Sequence, residues 1–87
     1  MSITLTNFQE DDGTWLVRMR TQFGLRQSDI AAYLTLVSRH SVNQGRIVEV
    51  EKGRRILRAE WREQLESFFA RIAILYAQGK DWRCLFG

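Results

Sequence analysis

The side chains best suited to chemistry in this sequence are cationic, and they are concentrated in the middle of the chain. Between positions 39 and 58 there are six basic residues but only two acidic ones, Glu49 and Glu51. The six are Arg39, Arg46, Lys52, Arg54, Arg55 and Arg58. Residues 1–17 have three acidic and no basic side chains, so residues 18–87 carry a charge of +6 and the whole chain a net charge of +3. Such a cluster suits a polyanion such as nucleic acid, although a solvated charged surface would have the same composition.

The residues needed for catalysis or metal binding are nearly absent. His40 is the single histidine and Cys84 the single cysteine, and they lie far apart in the sequence, so no zinc-binding set is predicted. We find neither a nucleophile with a base and an acid nor a glycine-rich phosphate loop. The sequence therefore predicts a protein that is not an enzyme and that needs no metal or cofactor. His40 is expected on the surface or facing a phosphate, and Cys84 is expected to be a packed thiol in a reducing compartment.

The length of 87 residues predicts one domain, residues 1–87, with a small core that oligomerisation would help to stabilise. The longest apolar run, Ile72 to Ala77, is far shorter than the ~20 residues that span a bilayer. The start of the chain also lacks the basic and apolar regions of a secretory signal. We therefore expect a soluble protein that has no membrane partner and is cytoplasmic and nucleoid-associated.

The elements that position the cationic cluster are predicted to be helices, four to five in all, giving an all-α fold. Leu16, Met19 and Phe23 form one apolar face of a first helix at about 12–23, which Gly24 would end. A second helix follows almost at once, because Ile30, Leu34 and Val37 again have helical spacing, and it extends to about residue 37. Residues 1–8 are predicted to be a short strand or an arm.

A third helix is predicted at about 41–52, with Ser41 and Gln44 at capping-box spacing and Gly53 at its end. The segment 56–79 is the most regular and predicts a long C-terminal helix that Gly79 ends. Its core-facing residues are predicted to be Trp61, Leu65, Phe68, Ile72 and Leu75. Three short helices, the second and third joined by a turn and followed by arginines, form a helix-turn-helix, in which one helix enters the major groove of DNA.

Two stretches resemble the lambda-repressor-like, or XRE-type, family of helix-turn-helix DNA-binding domains. RTQFGLRQSDIA, residues 20–31, is similar to the family's junction between helices 1 and 2. IVEVEKGRR, residues 47–55, is similar to the end of its recognition helix. The resemblance covers residues 14–58 as the core of the domain and leaves 59–87 as the C-terminal helix and tail. It implies a sequence-specific regulator of transcription, a repressor that binds double-stranded DNA.

The distance from Gln27 to Glu51 is 24 residues, which is several more than the family usually has. Two alignments absorb the excess. The preferred one places the insertion at Leu36 to Ser41 and assigns the base contacts to Asn43, Gln44, Arg46 and Glu49. The alternative begins a longer third helix at Ser38, Arg39, His40 and Ser41.

The resemblance also implies roles for residues outside the recognition helix. Arg20 and Glu51 would form an ion pair that attaches the third helix to the first, and Gln27 would both contact a phosphate and brace the third helix. Ser28 lies at the start of the second helix, where free N–H groups suit a phosphate. The predicted phosphate contacts are Gln27, Ser28, Arg39, His40, Lys52, Arg54 and Arg55.

The C-terminal helix and tail have more apolar residues than one packing face needs. We therefore predict a homodimer formed through Phe69, Tyr76, Trp82 and Phe86. A second interpretation assigns the same apolar surface to a protein partner, as in an antitoxin that neutralises another protein.

Overall fold

The computed structural model describes residues 10–81 and 83, and the regular structure in this part of the chain is entirely helical. The four helices are α1 (Asp12–Gln22), α2 (Gln27–Ser38), α3 (Gln44–Glu51) and α4 (Ala59–Ala77). The predicted all-α fold with a long C-terminal helix is therefore confirmed. The strand or arm predicted for residues 1–8, the packed thiol of Cys84 and the dimer contacts of Trp82 and Phe86 lie outside the described residues.

Local sequence signals explain where α1 and α2 begin and end. The carboxylate of Asp11 accepts a hydrogen bond of 2.7 Å from the Thr14 N–H and so caps α1. Gly24 follows α1 with φ of +70°, a conformation that costs glycine little because it has no Cβ. At the next corner the Arg26 N–H donates to the Asp29 carboxylate over 2.8 Å, which ties the chain to the first turn of α2.

The third helix begins later than the predicted capping box implies. Its N-cap is Asn43, whose side-chain oxygen accepts a hydrogen bond of 2.9 Å from the Arg46 N–H, so the prediction of Ser41 as the cap is wrong. Val42 is buried, and both its N–H and its C=O bond to the Thr35 hydroxyl, which holds residue 42 in a loop and displaces the helix start. Asparagine is as good an N-cap as serine, so spacing alone does not decide between them.

The core lies where α1, α2 and α3 meet one face of α4. Trp61, Leu65, Phe68 and Ile72 are buried as the spacing predicts. Phe69 is buried too, with only 2% of its surface exposed, because Trp15 packs edge-on against its ring with the centroids 5.5 Å apart. The assignment of Phe69 to a dimer surface is therefore wrong. The other buried apolar residues are Trp15, Leu16, Leu25, Ile30, Ala31, Leu34, Val42, Ile47, Val50 and Leu57.

A close contact between α1 and α3 fixes the position of the third helix. Gly13, in the first turn of α1, lies directly against the last turn of α3, and a Cβ placed there would be 2.5 Å from the Val50 carbonyl oxygen. The missing side chain thus lets the N-terminus of α1 approach the carbonyl end of α3, an arrangement that also places opposite ends of two helix dipoles together.

Candidate nucleic-acid interface

An ion pair attaches α3 to α1. The Arg20 guanidinium donates to both carboxylate oxygens of Glu51, from Nε over 2.5 Å and from Nη2 over 3.0 Å. The pair is largely buried, with side-chain exposures of 17% for Arg20 and 6% for Glu51. The bond to Glu51 raises the pKa of Arg20 above its ordinary value. The two residues are thus paired as expected, and the two-point geometry fixes the orientation of α3 as well as its distance.

Gln27 extends this pair into a chain of hydrogen bonds that reaches the start of α3. Its amide N–H donates to the Glu51 carboxylate over 2.9 Å, and its oxygen accepts from the Gln44 amide over 3.3 Å. The first residue of α2 therefore bonds to both the first and the last residue of α3. The expected bracing role of Gln27 is present in this geometry, while its phosphate contact stays a prediction. We call these four residues, Arg20, Gln27, Gln44 and Glu51, the bracing network.

The loop between α2 and α3 decides between the two alignments. Ser38 is the last residue of α2, and Arg39 caps that helix with φ of +63°. Thr35 holds the other end of the loop through its two bonds to Val42, of 2.9 and 3.0 Å. Residues 39–43 are thus not helical, and the alternative in which α3 begins at 38–41 is wrong.

The outer side of α3 presents small and polar groups. Gly45 and Lys52 are exposed, and Val48 and Glu49 are partly exposed. A shallow depression, the α3 hollow, runs along this side and is lined by Ser41, Asn43, Gly45, Arg46, Glu49 and Arg55. Three of the four predicted base-contacting residues therefore line one surface. Sequence reasoning omitted Gly45 and Val48, although their positions opposite the buried Ile47 and Val50 already place them outward.

The predicted base-contacting side chains all have partners within the chain. Asn43 uses its amide oxygen as the helix cap, and Gln44 belongs to the bracing network. The Arg46 guanidinium lies over the Trp61 indole, 5.3 Å from its centroid, and Glu49 is 3.6 Å from Arg54. These contacts are surface contacts of low strength, so they orient the side chains without excluding a stronger partner.

A second depression lies at the N-terminus of α2 and contains the fourth predicted residue, Gln44. This α2 hollow is lined by Arg20, Arg26, Gln27, Ser28 and Gln44. Helix N-termini present unbonded N–H groups and the positive end of the dipole, while both arginines here have carboxylate partners, Arg20 in Glu51 and Arg26 in Asp29 at 3.6 Å. The predicted phosphate contacts Gln27 and Ser28 thus lie together in a site suited to an anion, and sequence reasoning missed Arg26 beside them.

The remaining predicted phosphate contacts surround α3 on the surface. Arg39 and His40 lie in the loop before it, and Lys52, Arg54 and Arg55 follow its last residue. All five are exposed. Within residues 10–81 and 83, Arg39, Lys52 and Arg55 have no ion-pair partner, which leaves their charge available to a ligand.

The described residues include neither a metal-binding group nor a helix that could span a membrane. No group of three or more His, Cys, Asp or Glu side chains within residues 10–81 and 83 is arranged to hold a metal ion. No helix in that part of the chain combines the length and the apolar character needed to cross a membrane. No protein-family model matches the chain, and neither do any of the curated proteins or solved structures with which it was compared.

Proposed function

We propose that the protein is a sequence-specific double-stranded DNA-binding regulator of the lambda-repressor-like kind, with α3 as its recognition helix. The observation that carries the proposal is the bracing network. A short helix has been fixed at both ends by polar side chains from α1 and α2, while its outer side remains polar and open. That arrangement suits a helix that must enter a groove at a fixed angle.

The dimensions of α3 support this role. An α-helix with its side chains is about 10–12 Å across and the major groove is about 12 Å wide, so the eight residues of α3 fit within one groove. Gly45 removes bulk in the first turn of the outer side, which allows the helix backbone to approach base edges closely there. Gln44 and Arg46 offer the side-chain types that form paired hydrogen bonds with adenine and guanine, respectively.

The distribution of cations supports phosphate binding on both sides of α3. Arg26 and Ser28 in the α2 hollow would hold one phosphate, and Lys52 and Arg55 beyond α3 would hold another. Such contacts add affinity and fix the register on the duplex without reading sequence. In this proposal the chain represses transcription from an operator and is associated with the nucleoid in the cytoplasm.

A homodimer on a palindromic operator remains part of the proposal, although its surface is smaller than predicted. With Phe69 buried, the exposed apolar groups of α4 are Ile74 and Tyr76, at 59% and 68% exposure. Ala70 and Ala77 are exposed on the same face of α4 as Ile74 and would allow a second α4 to pack closely there, whereas Tyr76 points to the other side of the helix and its ring lies 6.0 Å from that of Phe23. Two-fold symmetry would then present one α3 to each half of the operator.

The proposal is tested by selecting duplexes from a random pool with the full chain and then measuring affinity at several salt concentrations. We expect enrichment of a related set of sequences and a loss of affinity on the order of 10³-fold between 50 and 200 mM salt. A single strand of the enriched sequence is the control and should bind much more weakly. No enrichment, or affinity that does not depend on salt, would contradict the proposal.

The exposed end of α4 favours a second candidate, an antitoxin-like module that binds a partner protein. Ile74 would form the contact, because Tyr76 points to the other side of the helix, where its ring packs against Phe23. Gel filtration of the chain with and without the enriched duplex separates the two candidates. A chain that co-purifies with one protein and never shifts with DNA would support the second.

A further inference from the structure

Ile56 is an apolar side chain held in an unusually exposed position beside the proposed DNA-binding surface. It is 89% exposed, more than any other large apolar residue in the described part of the chain. It lies in the segment between α3 and α4, five residues after Glu51. A single exposed apolar residue is common on protein surfaces, so its meaning depends on how it is held and what surrounds it.

The segment that carries Ile56 is fixed on both sides. The N–H groups of Arg54 and Arg55 both bond to the Glu49 carbonyl, over 2.9 and 3.3 Å, after Gly53 turns the chain with φ of +77°. On the other side Leu57 is buried in the core. Ile56 is therefore presented outward by a segment whose neighbours cannot move far, which lowers the entropy lost when it contacts a ligand.

The charge around Ile56 is positive. Four cations lie within four residues of it along the chain: Lys52, Arg54, Arg55 and Arg58. Arg54 is 3.6 Å from Glu49 and Arg58 is 3.8 Å from Glu60, so Lys52 and Arg55 are the two of these cations without an ion-pair partner in the described part of the chain. Asp11 and Asp12 line a cleft together with Ile56, but the Asp11 carboxylate caps α1 and that of Asp12 pairs with Arg62. Symmetric contact between two copies through Ile56 would bring the unpaired cations of both copies together, so a polyanion fits this surface better than a second copy does.

We propose that Ile56 is an apolar wedge that enters the minor groove beside the major-groove site of α3 and partly unstacks one base step. The inference rests on the proposed function. Because the first residues of a helix-turn-helix recognition helix contact the base edges, the segment beyond the C-terminus of α3 would lie near the phosphate backbone that borders the groove. The flanking arginines would bind those phosphates, while Ile56 extends past them, and isoleucine is among the side chains that other proteins insert between base steps.

The test uses the full chain and the duplex that the wild-type chain enriches from a random pool, with 2-aminopurine placed in turn at each step flanking the bound site. Fluorescence of this base rises when it unstacks. The variant is Ile56→Ser, and the matched control is Leu36→Ser, which removes an apolar side chain of α2 that is 61% exposed and has no part in the proposed DNA or dimer contacts. Ile56→Leu keeps an apolar wedge and should behave as the wild type does.

We expect wild-type binding to raise the fluorescence at one flanking step and Ile56→Ser to abolish that rise. The substitution should weaken binding roughly 10-fold or more. The dependence on salt should stay the same, since no phosphate contact is lost. Leu36→Ser should leave the fluorescence unchanged, and thermal melts should show all variants folded because neither side chain is buried.

Unchanged affinity and unchanged fluorescence with Ile56→Ser would overturn the inference. A free Ile56→Ser chain that sediments as a monomer where the wild type is a dimer, with no unstacking at any step, would also overturn it and would assign Ile56 to a contact between copies. A wild-type chain that enriches no duplex would overturn the proposed function itself. The enrichment with the wild-type chain is done before any variant is made, so failure of the proposed function is distinguishable from failure of the inference about Ile56.

Discussion

Arg46 and Trp61 are stacked, with the guanidinium carbon 5.3 Å from the centroid of the indole ring. Arg58 lies over the same ring at 5.6 Å, so a buried tryptophan has two cations over its faces at the edge of the proposed DNA surface. If α3 enters a major groove, Arg46 must either leave this ring to reach a base or remain on it beside a phosphate. The two outcomes have different effects on base preference.

The first prediction concerns base reading by α3. Gln44→Ala should relax preference at particular base pairs if the Gln44 amide leaves Gln27 on binding, because a bidentate contact to adenine is worth about 1–3 kcal/mol of discrimination. Arg46→Ala should do the same if Arg46 leaves Trp61, and should weaken all sequences equally if it remains there. Profiling each variant against a library of single-base operator variants makes the comparison. Arg54→Ala is the control and should lower affinity uniformly. If no variant alters base preference, α3 does not read the sequence.

The second prediction concerns the Arg20–Glu51 ion pair. Arg20→Ala and Glu51→Ala should each destabilise the fold by about 1–3 kcal/mol, since each leaves a partly buried charge without its partner. The double variant should lose much less than the sum. Denaturation of the three variants gives the coupling energy. The exposed pair of Arg58 and Glu60, 3.8 Å apart, is the control and should show coupling of less than about 1 kcal/mol. Additive losses at Arg20 and Glu51 would mean that the pair contributes no stability.

The third prediction concerns Gly13. Gly13→Ala should destabilise the fold by about 1–3 kcal/mol, because its Cβ would overlap the Val50 carbonyl and push α1 away from α3. Gly45→Ala is the matched control, since the nearest atom to its Cβ is the Asn43 side-chain oxygen at 3.3 Å. That variant should be up to about 1 kcal/mol more stable, as alanine favours helix. Thermal melts of both would decide the matter, and equal effects would contradict the close contact.

The fourth prediction concerns Arg39, which caps α2 in the left-handed region with φ of +63°. Arg39→Asn should stabilise the fold by up to about 1 kcal/mol, because asparagine tolerates this conformation better than arginine does. The same substitution should weaken DNA binding and reduce its salt dependence if Arg39 contacts a phosphate. Arg55→Asn, where φ is not positive, should weaken binding without the gain in stability. A destabilised Arg39→Asn variant would show that the arginine makes a contact that outweighs the backbone strain.

The fifth prediction concerns the pH dependence of the α1 cap. The Thr14 N–H bond holds the pKa of Asp11 below its ordinary value of about 3.9. A lowered folded-state pKa means that the carboxylate's contribution is present above the unfolded value and is lost as the pH falls through the folded one. Asp11→Asn keeps an oxygen cap but does not titrate. The difference in unfolding free energy between wild type and variant should shrink below about pH 4 in urea titrations. A difference that is constant with pH would contradict the prediction.

The helices and the core could be predicted from sequence where one repeating signal dominates. The stripes through Leu16, Ile30 and Leu65 correctly place three helices, because 3.6-residue spacing is set by backbone geometry alone. Phe69 could not be placed in this way, since its burial depends on where Trp15 of another helix packs. Periodicity describes one helix at a time, whereas burial is a property of two or more packed together.

The site was predictable to a similar extent. The Arg20–Glu51 pair and the bracing role of Gln27 are what the family resemblance implies, and the hydrogen bonds of these three residues are present. The start of α3 was misplaced because Ser41 and Asn43 are both good caps, and the choice between them depends on the bonds of Thr35 to Val42. The contact of Arg46 with Trp61 joins two helices and leaves no pattern in the sequence.

The way in which α3 is fixed has a consequence for how this protein could diversify. All the bonds that orient the helix use its two ends or its inner side, through Gln44, Glu51 and the contact with Gly13. Gly45, Val48, Glu49 and Lys52 take no part in that attachment. New side chains at those four positions would change the surface that α3 presents to a ligand, while the contacts that attach α3 to α1 and α2 stay the same. Descendants or designed variants could therefore acquire new targets without first acquiring a new fold.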